Sequence, residues 1–333
     1  MAKFNKDLKV GCLINCRPER YLREALIKGN LLTYTTGDVI EPAPLNYTQL
    51  TMRDESGKFK RFARFGHPGA GLFVTELFSP RKDEIHAFFQ FHYKQEWMTR
   101  LENRRTISYD GGRNWTPPEP LPDGINNLWI GKGIIYQNKR WMWPASFCEV
   151  VNPEVTDNSN VGQWMMARFD FRCCVIFSDD EGKSFIRSVS IKSKERHLIE
   201  PRIVELSDGS ILMLIRSMDS KELFRSVSKD GGRTWSEAVP GGILNPSSKS
   251  LLLRHPNGNI VLVHNPSEKR NKLAVWVSDD DAETWKTKYV IAEDNVRNLN
   301  YPDGDFDENG NLNLIWENGR SVYSTVIPAE ILK

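Results

Sequence analysis

The sequence predicts an all-β fold: a six-bladed β-propeller of four-stranded antiparallel blades, with residues 1–333 as one domain. Three observations carry that expectation. An octapeptide recurs four times, its copies are regularly spaced, and between them the chain alternates apolar and polar residues around short turns.

The copies are SYDGGRNW at 108–115, SDDEGKSF at 178–185, SKDGGRTW at 228–235 and SDDDAETW at 278–285. Their starts stand 70, 50 and 50 residues apart, which sets a repeat of 50 and leaves an insertion of 20 in the first interval. The polar, turn-rich segment 152–163, NPEVTDNSNVGQ, is the expected insertion. Each copy follows an alternating run such as Glu222-Leu223-Phe224-Arg225-Ser226-Val227 and precedes another extended segment, so it belongs in a hairpin. There the Asp accepts N–H groups of its own turn, the glycines supply positive φ, and the terminal aromatic packs beneath.

Between copies the pattern is strand, turn, strand, as in Arg202–Leu206, then Ser207-Asp208-Gly209, then Ser210–Ile215. LLLRHPNGNIVLVHN from Leu251 and FDENGNLNLIWE from Phe306 repeat it. Four strands in one such repeat make a propeller blade. The chain length then gives six blades, the first spanning roughly Leu26 to Phe62 with Met52–Lys58 as an eroded copy of the octapeptide. The last strand, Ser321–Ile327, is expected to close the ring by pairing into that first blade.

The composition, 39% hydrophobic with ten Trp, supports a large interior. A net charge of +2 with both signs interspersed gives no electrostatic footprint for nucleic acid or for a lipid surface, so any anion is met locally. The segment MAKFNKDLKVGCLINC has no apolar core of a leader, and no stretch is long and apolar enough to span a membrane, which predicts a soluble, cytoplasmic protein. Cysteines number five, and neighbours Cys173 and Cys174 would point to opposite faces of a strand, so no disulfide framework is expected. Cys12 and Cys16 have metal-like spacing without a second pair nearby, and no metal is expected. No glycine-rich strand-to-helix loop calls for a nucleotide, and no cofactor is expected.

The octapeptide resembles the Asp box of the sialidase (neuraminidase) superfamily, in which the boxes lie on the face away from the active site. By that resemblance the repeats are scaffold, and the chemistry belongs elsewhere. A sialidase substrate carries a carboxylate on the carbon under attack, which repels a carboxylate nucleophile. The family therefore uses a Tyr activated by a Glu, arginines that clamp the substrate carboxylate, and an acid that protonates the leaving group.

Two segments resemble the family's site. Glu200-Pro201-Arg202 through Leu214-Ile215-Arg216 matches a pattern in which a Glu opens one strand and an Arg closes the next. Tyr301-Pro302-Asp303-Gly304, followed by Gly310 and Glu317, matches the nucleophile strand and its partner. Arg270 stands before the strand that leads into the fourth box. The resemblance implies Tyr301 as nucleophile, Glu200 as its base, Arg216 and Arg270 in the clamp, and Glu317 as an orienting residue. Each has a plainer reading: Glu200 opens a solvated strand, Arg216 pairs with Asp219, or Tyr301 packs at a turn. Their joint spacing is what favours a site.

The N-terminal part departs from the family pattern. Arg23 is the expected first arginine, with Arg17 and Arg20 as competitors. The acid is expected near Asn46-Tyr47, where no carboxylate stands; Asp38, Glu41 and Asp54 are the neighbouring candidates. The implied function is an exo-glycosidase acting on a glycan that ends in an acidic sugar. The alternatives are a lyase on a uronic-acid glycan, in which His67, His197 or His264 would matter as a base beside Tyr301, and a propeller that only binds glycans. Phe88–Tyr93 and Trp141–Trp143 are expected in the core rather than stacked on sugars.

Overall fold

A computed structural model describes residues 3–4, 8–15, 24–27, 31–36, 47–53, 59–66, 70–93, 101–194, 197–319 and 321–333. It begins with β1 (Lys3–Phe4) and β2 (Lys9–Asn15). Sheet one follows: β3 (Glu24–Ile27), β4 (Leu31–Thr36), β5 (Tyr47–Arg53) and β6 (Phe59–Gly66). Sheet two is β7 (Gly71–Arg81), β8 (Glu84–His92), β9 (Leu101–Ser108) and β10 (Glu119–Pro120). Sheet three has an inner edge split into β11 (Trp129–Ile130) and β12 (Ile134–Tyr136), both paired with β13 (Arg140–Val150), then helix α1 (Val161–Arg168), β14 (Phe169–Ser178) and β15 (Ile186–Arg187). Sheet four is β16 (Leu198–Glu205), β17 (Ile211–Ser217), β18 (Glu222–Ser228) and β19 (Val239–Leu244). Sheet five is β20 (Leu251–Arg254), β21 (Ile260–His264), β22 (Lys272–Ser278) and β23 (Thr287–Glu293), extended by β1. Sheet six is β24 (Leu299–Phe306), β25 (Leu312–Asn318) and β26 (Ser321–Ile327), extended by β2.

The protein is an all-β propeller of antiparallel, mostly four-stranded sheets. Among the described residues, packed side-chain cores run through sheets two to six, five blades where the repeat arithmetic predicts six. Sheet one, whose expected eroded octapeptide lies mostly outside the described residues, is described chiefly as a backbone ladder; Leu50 and Phe65 reach from it into the seam with sheet two.

Closure also differs from expectation. Strand β26 does not pair into sheet one; it lies between β25 and β2, with Lys9 opposite Val326 and Asn15 opposite Ser321. Sheet one has its own four strands, so the edge left open on β26 is covered by the N-terminal strand instead. The expected insertion at 152–163 is longer than its polar residues suggest and ends in α1, whose N-cap Asn160 accepts a hydrogen bond from Gln163 N at 3.2 Å.

All four octapeptides sit between the third and fourth strands of their sheets. In the first, Ser108 Oγ donates to Asp110 Oδ1 (2.9 Å) and accepts from Gly112 N (2.7 Å), while Asp110 Oδ1 accepts from Asn114 N (2.8 Å). The other three repeat this network around Asp180, Asp230 and Asp280. The fourth has no glycine, so Asp281 and Ala282 take φ of 58° and 65° themselves. The box aromatic packs into the seam with the preceding sheet: Trp115 against the core containing Leu50, Phe185 against Trp143, Trp235 beside Tyr136 and Met142. Arginines cross the same seams, Arg105 Nη1 donating to Gly182 O and Arg140 Nη1 to Gly231 O, each at 2.6 Å. A box therefore fastens its hairpin and also the neighbouring blade.

Hydrogen bonds from the residue four positions on hold Asp110, Asp180 and Asp280 down at about 2, and in Asp230 the bonds from Thr234 prevail over burial to the same value. Carboxyls lowered by folding stabilise above their ordinary value of 3.8, and that contribution is lost as pH falls through about 2. Asp180→Asn is accordingly expected to lower Tm at pH 7 and to shrink the difference from wild type as the pH approaches 2; a difference independent of pH would remove charge from the role of the box.

Sheets packed on both faces explain why β17 and β21 read as continuous apolar runs rather than alternations. Cys173 and Cys174 face different cores, the first with Val175 and Ile203, the second with Trp143 and Ile176. Phe88, Phe89, Phe91, Trp141 and Trp143 are all core, as expected.

Candidate functional site

Topology places the boxes at one end of the propeller, where third strands finish. Starts of first strands, ends of second strands and starts of third strands lie at the other end. Glu200, Arg216, Arg270, Tyr301 and Glu317 all belong to that second end. The insertion with α1 rises from the same end, between β13 and β14.

Glu200 and Tyr301 occupy the same position in sheets four and six. Each falls within a register shift, between Ile199 and Arg202 in one strand and Asn300 and Asp303 in the other. Both take φ of 50°, and Ser247, just ahead of β20 in sheet five, takes 53°. Side-chain-bearing residues in that conformation cost on the order of 1–3 kcal/mol each, held by the surrounding pairing, and such strain concentrates at sites of function.

The side chains form one chain of contacts. Arg216 Nη1 donates to Glu200 Oε2 at 2.7 Å, and Arg216 Nε to Ser247 Oγ at 3.2 Å. Arg270 Nη2 donates to the Ser247 carbonyl and Nη1 to Asn300 Oδ1 at 3.1 Å. The Arg270 guanidinium lies over the Tyr301 ring, 5.8 Å from its centroid. Glu200 N donates to Ser146 Oγ at 3.4 Å, tying the bulge to sheet three. Glu317 is buried and stands directly across from Asn300 in the β24–β25 pair. Arg216 thus pairs with Glu200; Asp219 is taken by His197 Nδ1 at 2.8 Å.

Arg17, Arg20, Arg23, Asp38, Glu41, Asn46, Asp54 and His67 lie outside the described residues, as do Cys16 and most of the eroded octapeptide. His197 Nε2 lies 3.0 Å from Met166 O and 3.2 Å from Phe169 O, anchoring the helical insertion. His264 is fully buried against Trp276, ring centroids 4.4 Å apart, and burial lowers it to about 3. Neither geometry presents a base to a substrate. A cavity of about 400 Å³ beside β14, lined by Asp170, Arg172 and Lys192 among others, contains none of the site residues.

A model described as BNR repeat-like domain matches residues 64–314. The chain belongs to that family. By sequence, no curated protein matches it. In structure, the BNR propeller is similar to the Hadza microbial sialidase Hz136, with a TM-score of 0.70 at 13% identity over 94% of this chain and 66% of that one. It is similar to a protein of unknown function from Dyadobacter fermentans, with a TM-score of 0.73 at 14% identity over 95% and 98% of the two chains. The NanB sialidase from Streptococcus pneumoniae gives a TM-score of 0.56 at 14% identity, over 98% of this chain and 57% of that one. These likenesses establish the sialidase-superfamily fold.

Beneath the site the BNR propeller carries a feature that the sequence analysis missed. Among the described residues, five first-strand segments each bring one ionisable side chain within reach of the others: Glu76, Lys132, Arg202, Lys249 and Asp303. Asp303 lies 3.4 Å from Lys132 Nζ through one oxygen and 3.4 Å from Lys249 Nζ through the other, and accepts from Gly304 N at 2.8 Å. Arg202 Nε donates to Ser250 O at 3.0 Å and Nη1 to Pro201 O at 3.1 Å. Glu76 accepts from Gly133 N at 3.1 Å. Burial opposes charge on Asp303, but Lys132, Lys249 and Arg202 outweigh it and hold its carboxyl below the ordinary value. Burial likewise opposes charge on Lys132, and Asp303 and Glu76 more than restore it. Glu76 is pushed by burial up to about 8, only partly offset by Lys132.

The cluster needs room. A Cβ on Gly131 would stand 2.5 Å from Arg202 Nη1 and 3.1 Å from Pro144 O. Gly131→Ala is therefore expected to destabilise by about 1–3 kcal/mol, measured by chemical denaturation. A neutral result would mean that the guanidinium moves aside without loss.

Proposed function

We propose that this BNR propeller is a sialidase-like exo-glycosidase that removes a terminal carboxylate-bearing sugar from a glycan. Tyr301 is the nucleophile, Glu200 its base, Arg216, Arg270 and Arg23 the carboxylate clamp, and Glu317 an orienting residue. The observation that carries this reading is the continuous chain Glu200–Arg216–Ser247–Arg270–Asn300 beside Tyr301, at the end of the propeller away from the boxes. The sialidases among its structural neighbours support it.

The chemistry follows from the groups present. Arginines offer planar, bidentate donors that suit a carboxylate. Glu200 takes the phenol proton as the Tyr301 oxygen bonds to the anomeric carbon, and the glycosidic alcohol leaves with a proton from an acid. Water, giving a proton back to that acid, then cleaves the aryl glycoside so formed, while Glu200 returns its proton to Tyr301. The Arg270 charge over the ring favours the developing phenolate. Arg216, holding Glu200 now, turns part of its donor set to the ligand carboxylate, which raises the basicity of Glu200 when substrate is in place.

The test is release of the aryl alcohol from an aryl α-sialoside by the wild-type protein, since an aryl leaving group departs with little help from an acid. Turnover is expected. No turnover of this substrate, with formation of an unsaturated product from a uronic-acid glycan, would replace the hydrolase by a lyase; binding of acidic glycans without either product would leave a binding propeller.

A further inference from the structure

We propose that the buried cluster Lys132–Arg202–Lys249–Asp303 sets the charge preference of the candidate site, acting as a fixed cationic floor that favours ligands carrying a negative charge. This rests on the reading of that site as one for acidic sugars, and goes beyond it by placing the selectivity in residues that no rim contact would reveal.

Position is the first argument. Arg202, Lys249 and Asp303 each follow Glu200, Ser247 and Tyr301 by two residues. All three segments run from the site end toward the box end, so the cluster lies beneath the site. Charge balance is the second. Among the described residues three cations, Lys132, Lys249 and Arg202, act on Asp303, and burial works against charge on the other carboxyl, Glu76. Asp305 also acts on Lys132, but it lies a further step along β24 and opposes the floor from a greater distance.

Burial is the third argument. Side chains of Lys132 and Asp303 are 8% and 4% exposed, so their field reaches the site with less screening than a surface charge would. The cations were desolvated when the protein folded, and a ligand meets them already arranged. Lys249, at 18% exposure, is the member open enough to be changed with least disturbance.

The experiment is equilibrium binding of N-acetylneuraminic acid and of its uncharged methyl ester to wild type, Lys249→Met and Lys249→Arg, each checked for folding by circular dichroism. Removing one unit charge at this depth is expected to weaken the acid about tenfold and leave the ester within about twofold, with Lys249→Arg near wild type. A purely structural role for Lys249 would weaken both ligands together, and that result overturns the floor. So does unchanged acid binding in folded Lys249→Met while wild type still prefers the acid; the acidic-sugar reading then stands alone. Wild type that binds neither ligand, or both equally, sinks the acidic-sugar reading and the floor with it. Should Lys249→Met fail to fold, Lys249→Gln carries the same comparison.

Discussion

Tyr301→Phe is expected to reduce turnover of an aryl α-sialoside by at least about 10³-fold while leaving ligand affinity within a few-fold and Tm unchanged. The substitution deletes one oxygen and keeps the ring, so the Arg270 contact and the φ of 50° at this bulge persist. A loss confined to kcat would mark an atom that acts in the bond-making step. A parallel rise in KM would instead mark a binding contact. Unchanged turnover would remove Tyr301 from the chemistry and leave Glu200 and the arginines in need of another nucleophile.

Trp143→Ala is expected to cost about 4 kcal/mol of stability, read from chemical denaturation. Trp143 is fully buried, with ring centroids 4.9 Å from Phe78, 5.2 Å from Phe88 and 5.8 Å from Phe185. Gly133 is small because a Cβ there would lie 2.5 Å from the indole. The ring thus joins two strands of sheet two to a box aromatic of sheet three, and three separate elements would have to shift to fill its space. A cost below about 1 kcal/mol would mean that the seam repacks.

Much of this architecture was legible in the chain because the octapeptide writes its own geometry. Ser108, Asp110, Gly112 and Trp115 interact within eight residues, and local networks survive translation from sequence to structure. Cys173 and Cys174 were legible for a similar reason, since strand alternation alone sends them to different cores. The strand that completes sheet six was not, because β2 finds β26 across almost the whole chain and no local pattern records a distant partner. Helix α1 was hidden by the polar residues that precede it.

The site shows the same division. Glu200 with Arg216 and Tyr301 with Glu317 are hairpin-spaced pairs, and spacing brought them to one end. Ser247, which touches both arginines, offered no spacing signal and carries no charge. The buried cluster had a signal in the repeat register that went unused: Glu200-Pro201-Arg202, Ser247-Ser248-Lys249 and Tyr301-Pro302-Asp303 align, and their third members are all ionisable. Ionisable residues in a strand read as solvated unless the strand is known to be innermost.

The pairing of β2 with β26 bears on how the protein is made. Lys9 and Val326 are neighbours in space yet more than three hundred residues apart in sequence. During synthesis, β2 must wait with its hydrogen-bonding edge exposed until Ser321–Ile327 has left the ribosome, while sheets two to five have every strand of their cores to hand much earlier. The ring is therefore an open arc until β26 arrives, and that step is slow because its two partners are far apart in sequence and must find each other across a propeller whose other sheets are already in place. An interval of that kind is when an unguarded strand is most open to a second copy of the same chain, so yield on refolding should fall with protein concentration more steeply than the stability of the finished propeller would suggest.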